Sequence, residues 1–351
     1  MTETDVRTGD DLPGADPEAP LLEVRDLHVE FRSRTSPPVH AVNGLSYSVG
    51  RGETLAILGE SGSGKSVSAQ AVLGLLATPP ARITGGEIRY RGLDLLGRKD
   101  RWLRKIRGRR VAMIFQDALT ALNPVVGVAD QIAEMYRVHE RTGRREARAR
   151  AIELMERVRI PAAARRADDY PHQFSGGMRQ RVMIAMALAL RPDVLIADEP
   201  TTALDVTVQA QIMKLLAESQ AELDTALILI THDLGVVADV ADRIVVMYAG
   251  SVMEQAPVID LYARPAHPYT EGLLAAVPRV DRTTTGRLTP ITGAPPNLAA
   301  IPSGCPFHPR CPRARDRCAT ERPELRAVGN GRLSACHYAE EVLAGEEAAG
   351  D

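Results

Sequence analysis

The sequence predicts an α/β fold with a largely parallel sheet, a helical insertion and a C-terminal extension rich in proline and cysteine. Short apolar runs of strand length alternate with longer stretches of helical period, an order typical of parallel sheets covered by helices. Between residues 117 and 190 the pattern is mostly helical, and near Val277 the composition changes.

Seven apolar stretches are strand candidates, and five longer stretches carry a helical pattern. The strand candidates are Leu21–Phe31, Gly44–Val49, Thr54–Leu58, Val111–Phe115, Val194–Ala197, Ala226–Thr231 and Arg243–Tyr248. The helix candidates are Lys65–Leu76, Gly127–His139, Arg144–Val158, Gly176–Leu190 and Val206–Leu223.

The composition is that of a globular protein. The chain has 351 residues, 44% of them hydrophobic, with 43 basic and 45 acidic side chains. These values exclude a mostly disordered or collagen-like chain and a small disulfide scaffold. No apolar run reaches the roughly 18–20 residues of a membrane span, and the acidic N-terminus lacks the features of a signal peptide. We therefore expect a protein that stays in the cytoplasm and reaches a membrane only by docking.

The pattern divides the chain into a main domain and three other segments. Residues 1–20 predict a disordered acidic tail, and residues 21–276 form the main domain, with a helical subdomain at about 117–190. Residues 277–338 hold nine prolines and all four cysteines, with few apolar segments long enough to build a core. Residues 339–351 predict a second disordered tail.

A glycine-rich segment between a strand and a helix predicts a phosphate site. It matches the pattern G-x-x-x-x-G-K-[ST], whose backbone N–H groups and helix N-terminus surround phosphate oxygens. Lys65 supplies a charge for the β- and γ-phosphates, and the Ser66 hydroxyl is a ligand for Mg²⁺. The segment consists of Gly59, Glu60, Ser61, Gly62, Ser63, Gly64, Lys65 and Ser66.

Two carboxylates end a later apolar strand and complete a hydrolysis site. Asp198 is placed to reach Mg²⁺ directly or through water, and Glu199 to polarise a water for attack on the γ-phosphorus. Together with the phosphate loop they predict hydrolysis of ATP or GTP.

Four further elements occur in one order along the chain. Gln116 follows a strand, Phe174–Arg181 carries Ser-Gly-Gly before a helix, Ala203–Asp205 follows the paired carboxylates, and His232 follows another strand. With the phosphate loop and Asp198–Glu199, this order resembles the ATP-binding-cassette ATPases: Q-loop, signature, D-loop and switch histidine. The resemblance implies a phosphate-loop NTPase core with an added antiparallel β subdomain.

The resemblance also implies that two cassettes enclose two ATP molecules. The signature residues Ser175, Gly176, Gly177 and Gln180 would contact the γ-phosphate held by the opposite subunit, and Asp205 would lie in the D-loop. Gln116 would reach Mg²⁺ and the attacking water, Ser66 and Asp198 would bind Mg²⁺, and Glu199 and His232 would be catalytic. For the adenine ring, only Phe31 and Tyr47 are aromatic candidates, and Tyr47 fits a structural role equally well.

Further segments resemble the ATPase subunits of oligopeptide and dipeptide importers, of the D type. They are Asp198–Ile212, His267–Thr270 with Leu273–Pro278, and Gly304–Pro312. This resemblance implies a homologous second ATPase, two permease subunits and an extracytoplasmic binding protein as partners, at the cytoplasmic face of the inner membrane. Nickel importers share most of these features and remain an alternative. A soluble cassette ATPase of DNA repair or translation and a stand-alone iron–sulfur enzyme are more distant ones.

The four cysteines form one cluster in the sequence. Their spacing is C-x5-C-x6-C-x17-C, and a cytosolic protein rarely keeps disulfides, so metal or cluster ligation is favoured. Four thiolates can hold tetrahedral zinc or a [4Fe–4S] cluster, and the family resemblance favours the cluster. Four free thiols remain the alternative. The residues are Cys305, Cys311, Cys318 and Cys336.

Two arginine-rich stretches, Arg98–Arg110 and Arg137–Arg150, raise the question of nucleic-acid binding. Acidic residues elsewhere balance their charge and no aromatic platform is interleaved. We interpret them as solvated helix faces and expect no nucleic-acid partner.

Overall fold

The computed structural model describes residues 12–276 and 290–345. The strands are β1 (Leu22–Phe31), β2 (Val39–Val49), β3 (Thr54–Leu58), β4 (Ala81–Tyr90), β5 (Leu93–Asp94), β6 (Val111–Ile114), β7 (Val194–Asp198), β8 (Ala226–Thr231), β9 (Arg243–Tyr248), β10 (Ser251–Pro257), β11 (Arg326–Ala327) and β12 (Leu333–Ser334). The helices are α1 (Lys65–Val72), α2 (Asp100–Leu103), α3 (Ala118–Ala121), α4 (Val128–His139), α5 (Arg144–Arg157), α6 (Ala163–Arg166), α7 (Gly176–Leu188), α8 (Val206–Leu223), α9 (Leu234–Val240), α10 (Val258–Ala263), α11 (Pro268–Ala275), α12 (Asp316–Thr320) and α13 (Ala339–Ala344).

An eight-stranded sheet in the order β11-β12-β10-β9-β3-β8-β7-β6 forms the centre of the molecule. The five strands from β9 to β6 run parallel, and β10 continues the sheet antiparallel to β9. Every residue of β3 is buried, as expected for a strand covered on both faces. Ala56 and Leu58 point into one core and Leu55 and Ile57 into another. The parallel α/β sheet predicted from the sequence is confirmed.

A second sheet lies over one face of the first. Its order is β2-β1-β4-β5, and all its pairs are antiparallel. Leu22, Val24 and Leu27 of β1 share a core with Leu55 and Ile57 of the central sheet. This is the antiparallel β subdomain that the family resemblance implied.

The segment between β6 and β7 is helical and forms the other main layer. Helices α4, α5 and α7 contact one another, and their apolar faces join the core that contains Ala56 and Leu58. None of the helices in the described part of the chain has the length and apolar character needed to span a membrane.

The C-terminal extension is joined to the central sheet by backbone pairing. Glu254 and Gln255 of β10 pair with Ser334 and Leu333 of β12, and β11 adds a further short strand. Phe307 is buried in the core that also holds the helical layer.

Both chain ends contain folded residues that the sequence analysis assigned to disordered tails. Leu12 is buried in the core, and Asp16 N–H donates to the carbonyl of Arg91 (2.9 Å). Residues 339–344 form α13, which buries Ala339 and Val342. In both segments a few apolar side chains are buried against the rest of the protein, although each segment is acidic. Residues 1–11, 277–289 and 346–351 lie outside the described residues.

Candidate active site

The phosphate loop connects β3 to α1, as the sequence predicts. Two of its glycines lie where neighbouring backbone leaves no room for a side chain. A Cβ atom on Gly64 would lie 2.2 Å from the carbonyl oxygen of Ala41, and its φ of +97° disfavours other residues. A Cβ atom on Gly59 would lie 2.2 Å from the carbonyl oxygen of Met247. The backbone therefore approaches β2 and β9 too closely for any side chain at these two positions.

Lys65 lies inside this loop. Its Nζ donates to the carbonyl oxygens of Gly59 (2.7 Å) and Glu60 (2.9 Å). Burial lowers the pKa of Lys65, and the nearby carboxylates of Glu199 and Asp198 oppose that shift. Its ammonium group is thus held by groups that a phosphate oxygen can replace.

Ser66 and Asp198 meet at the first turn of α1. The Ser66 hydroxyl donates to Asp198 Oδ1 (2.9 Å), and Asp198 ends β7 almost fully buried. Burial raises the pKa of Asp198, while the hydrogen bond from Ser66 lowers it. A hydroxyl and a carboxylate in contact are the oxygen donors that Mg²⁺ prefers.

Glu199 follows Asp198 and is surrounded by polar side chains. Its Oε2 accepts from Gln116 Nε2 (2.9 Å) and from Thr202 Oγ1 (2.8 Å). Its Oε1 lies 3.5 Å from Nδ1 of His232. The backbone of Glu199 has a φ of +45°, which is uncommon outside glycine. The structure thus brings together three of the residues that the sequence singled out, from three strand ends.

The signature segment begins α7. Ser175 is its N-cap, and its Oγ accepts from Met178 N–H (3.4 Å). A Cβ atom on Gly177 would lie 2.6 Å from Val208 Cγ1, so this helix packs closely on α8. Gln180 is buried, and in the described part of the chain its Nε2 has no hydrogen-bond partner.

The D-loop residue Asp205 is the N-cap of α8. Its Oδ1 accepts from Val208 N–H (3.0 Å). The helix that begins at the signature and the helix that begins at the D-loop are therefore in contact, at Gly177 of α7 and Val208 of α8.

The two aromatic candidates for the adenine ring differ in position. Tyr47 is 5% exposed in the core beneath the antiparallel sheet, and burial raises its pKa. A residue so enclosed offers no face to a nucleotide, so Tyr47 is structural. Phe31 is only partly buried at the end of β1.

Three residues at the site were noted in the sequence only as parts of segments that carry the family resemblance, and no role at the nucleotide site was predicted for them. Thr202 binds Glu199, as described above. The hydroxyl of Tyr269 accepts from Glu60 N–H (3.0 Å), and Arg310 forms a two-point ion pair with the Glu60 carboxylate. Thr202 lies in Asp198–Ile212, Tyr269 in His267–Thr270 and Arg310 in Gly304–Pro312. Membership of a segment that carries the family resemblance was therefore the available signal for each of them.

The four cysteines lie close together in the extension. Cys305, Cys311, Cys318 and Cys336 line one small cavity of about 20 Å³. Burial raises the pKa of Cys311 to about 12 and that of Cys336 to about 11, so the thiolates would need a bound cation. Yet within residues 12–276 and 290–345 no three His, Cys, Asp or Glu side chains are arranged to hold a metal ion. The four cysteines therefore converge on one cavity, but the side chains that the structure describes do not surround a single metal ion.

Arginines in the two basic stretches pair with acidic side chains of the same chain. Arg107 pairs with Asp100 (2.6 Å), and Arg148 with Asp168 (2.6 Å). Part of the positive charge is thereby neutralised within the molecule.

Two family models match the chain. Residues 42–202 match a family described as ABC transporter, and residues 253–318 match the oligopeptide/dipeptide transporter C-terminal region.

Curated proteins with similar sequences are transport ATP-binding proteins. An oligopeptide transport ATP-binding protein of Salmonella typhimurium is 51% identical over 323 residues, which cover 92% of this chain and 95% of that protein. A dipeptide transport ATP-binding protein of Bacillus subtilis is 51% identical over 85% of this chain and 88% of its own length. An oligopeptide transport ATP-binding protein of Mycobacterium tuberculosis is 51% identical over 94% of this chain, but the chain spans only 54% of that protein.

Solved structures of cassettes share the fold. A dimeric ATP-binding cassette in a post-hydrolysis state with ADP and phosphate gives a TM-score of 0.61 at 28% identity, over 68% of this chain and 98% of that one. A cassette of a Clostridium perfringens ABC transporter gives a TM-score of 0.58 at 31% identity, over 70% of this chain and 92% of that one.

Proposed function

The chain belongs to the ATP-binding-cassette family, in the group of oligopeptide and dipeptide transport ATP-binding proteins, and we propose that it hydrolyses ATP to power the import of di- or oligopeptides. The observation that carries this proposal is the assembly of Gln116, Asp198, Glu199 and His232 beside the phosphate loop. The sequence identity of 51% with an oligopeptide transport ATP-binding protein, over 92% of this chain, supports peptides as the transported substrate.

Each residue of the site has a chemical role in this proposal. Residues 59–66 bind the phosphates of ATP, and Ser66, Asp198 and Gln116 hold Mg²⁺. Glu199 orients and deprotonates the attacking water, and His232 stabilises the γ-phosphate. The contacts of Gln116 and Thr202 with Glu199 support this assignment, because they fix the carboxylate that must face the water.

A second ATPase subunit completes each nucleotide site. The signature residues Ser175, Gly176 and Gly177 begin a helix, whose N–H groups suit an anion. In the proposal they bind the γ-phosphate of the partner cassette, and Gln180 supports them. A homologous but non-identical partner fits the D-type resemblance, which makes a heterodimer the expected assembly.

Permease subunits dock beside the Gln116 loop. An apolar groove of about 210 Å³ lies there between β6, α3 and α7, and the exposed side chains of Phe115 and Leu75 line it. An apolar groove of this kind suits a short helix from a membrane subunit. The chain would then act as a peripheral subunit at the cytoplasmic face of the inner membrane, with an extracytoplasmic binding protein delivering the peptide.

A [4Fe–4S] cluster in the extension is the finer part of the proposal. Its support is the shared cavity of the four cysteines and the resemblance of their spacing. Such a cluster would stabilise a segment with little core of its own. Anaerobically purified protein should contain iron and acid-labile sulfide, and a Cys305→Ser variant should lose both. Zinc bound to four thiolates without iron or sulfide would contradict the cluster.

The function is tested by ATP hydrolysis in the complex reconstituted with its permease subunits and binding protein. A mixed peptide pool should stimulate turnover over buffer, and the same complex carrying Glu199→Gln gives the background rate. Stimulation by Ni²⁺ alone would assign the complex to metal uptake instead. Failure to assemble with any permease would contradict a transport function.

A further inference from the structure

Arg310 lies in the cysteine-bearing extension but contacts the phosphate loop. It sits in a short helical turn, His308–Arg310, next to Cys311, and its side chain is only 6% exposed. Its Nη1 lies 2.6 Å from Glu60 Oε2, and its Nη2 lies 3.0 Å from Glu60 Oε1. This two-point geometry is the strongest arrangement of an arginine and a carboxylate.

Arg310 is itself fixed by its surroundings. Its Nη1 also donates to the hydroxyl of Tyr248 (3.2 Å), and its Nε donates to the carbonyl of Thr292 (3.0 Å). The Tyr248 ring packs against Tyr269 and Phe307, with ring centres 4.7 and 5.3 Å apart. A buried guanidinium held on three sides is a rigid anchor and not a mobile surface charge.

Three groups of Glu60 are held by neighbouring side chains. Its N–H donates to Tyr269, its carbonyl accepts from Lys65 Nζ, and its carboxylate binds Arg310. A free carboxylate at the second position of the phosphate loop would repel the negative charges of ATP at close range. Pairing with Arg310 removes that repulsion and restrains the loop.

We propose that Arg310 is a positioning residue of the nucleotide site, which neutralises and anchors Glu60 so that the phosphate loop binds ATP tightly. The C-terminal extension is then a working part of the ATP site. This inference rests on the proposed function, since it requires that the loop binds ATP.

The test measures the dissociation constant of MgATP for the full chain and four variants, with thermal unfolding as a check of folding. Arg310→Ala should weaken binding about tenfold, because an unpaired carboxylate then faces the phosphates. Arg310→Lys keeps the charge without the two-point geometry, so its affinity for MgATP should lie between those of the wild type and Arg310→Ala. The double variant Arg310→Ala/Glu60→Gln should recover most of the loss, since it removes the repelling charge as well. The matched control is Arg317→Ala, which breaks an exposed pair with Glu321 in the same extension and should bind like the wild type.

Two results would overturn the inference. One is wild-type affinity in Arg310→Ala. The other is a double variant as weak as Arg310→Ala alone, which would assign Arg310 a general role in folding the extension. A wild-type chain that fails to bind MgATP would instead refute the proposed function, and the inference with it.

Discussion

In the proposed function, the chemistry of the site depends on Glu199. Two side chains, Gln116 and Thr202, hold one of its carboxylate oxygens, and His232 lies near the other. The main-chain N–H of Glu199 is also bonded, to the carbonyl of Ile230 in β8 (2.8 Å). A carboxylate fixed at both side chain and backbone is suited to orienting a single water molecule.

We predict that Glu199→Gln binds MgATP with nearly unchanged affinity but hydrolyses it roughly 10²- to 10⁴-fold more slowly, the usual contribution of a general base. The amide keeps the shape of the side chain and loses its basicity. Single-turnover hydrolysis and equilibrium binding, measured on the assembled ATPase pair, separate the two effects. The variant should also accumulate as an ATP-bound dimer.

A suitable control is Glu218→Gln, which makes the same chemical change at an exposed pair with Arg159. It should hydrolyse ATP at the wild-type rate. Near wild-type turnover in Glu199→Gln would show that another group activates the water.

At the residue scale, the positions of the motif residues were predictable, whereas the side chains that hold those residues in place were not. The phosphate loop, Gln116, Asp198 and His232 could be located because each follows a strand in a recognised order. Thr202 and Arg310 could not, because their roles depend on contacts that only the folded chain creates. For Arg310 the contact joins residues 250 positions apart.

At the element scale, the seam between β10 and α11 contains a buried carboxyl group. Glu254 on β10 is fully buried, and its Oε1 accepts from Ala266 N–H (2.8 Å). Burial raises the pKa of Glu254 to about 7. His267, also buried at this seam, has its pKa lowered to about 3 by burial and stays neutral. Between about pH 3 and pH 7, both titratable groups are thus enclosed in uncharged form where the extension joins the main domain.

We predict that Glu254→Gln gains stability relative to the wild type as pH rises from 5 to 8. The folded state holds its proton up to about pH 7, whereas the unfolded chain releases it near the ordinary value of 4.5. The contribution of Glu254 to stability is therefore complete below about pH 4.5 and is lost as pH rises through 7. The relative gain of the variant can reach roughly 3 kcal/mol by the linkage between pKa and stability.

Urea unfolding at several pH values measures this difference. His267 is present in both proteins, and its opposite effect below its ordinary pKa of 6.5 cancels in the comparison. Parallel pH profiles of the two proteins would show that Glu254 is already ionised in the folded state.

The elements themselves were predictable where the hydrophobic period was clear. All the parallel strands and the long helices α4, α5, α7 and α8 lie within a few residues of their predicted bounds. Strand β4 was missed because Gly85 and Gly86 interrupt its alternation. The structure shows why glycine is needed at position 86. A Cβ atom on Gly86 would lie 2.4 Å from the carbonyl oxygen of Asp26, at a bulge in β1.

On the scale of the whole molecule, the extension is integrated with the ATPase core in two ways. Strand β12 pairs with β10, and Arg310 reaches the phosphate loop. The sequence predicts that the extension has little core of its own, and the composition of the extension gives no sign of either connection. Backbone pairing of a two-residue strand carries almost no pattern in the sequence, so this docking could be found only in the folded protein.

The most direct test of the proposed function is peptide uptake by proteoliposomes that contain the complete transporter, with ATP supplied on the side of this chain. Uptake of a labelled peptide should require hydrolysable ATP and Mg²⁺, and Glu199→Gln should abolish it while the complex stays assembled. Uptake that continues in the Glu199→Gln complex, or ATP turnover that moves no peptide, would contradict the claim that hydrolysis at this site powers peptide import.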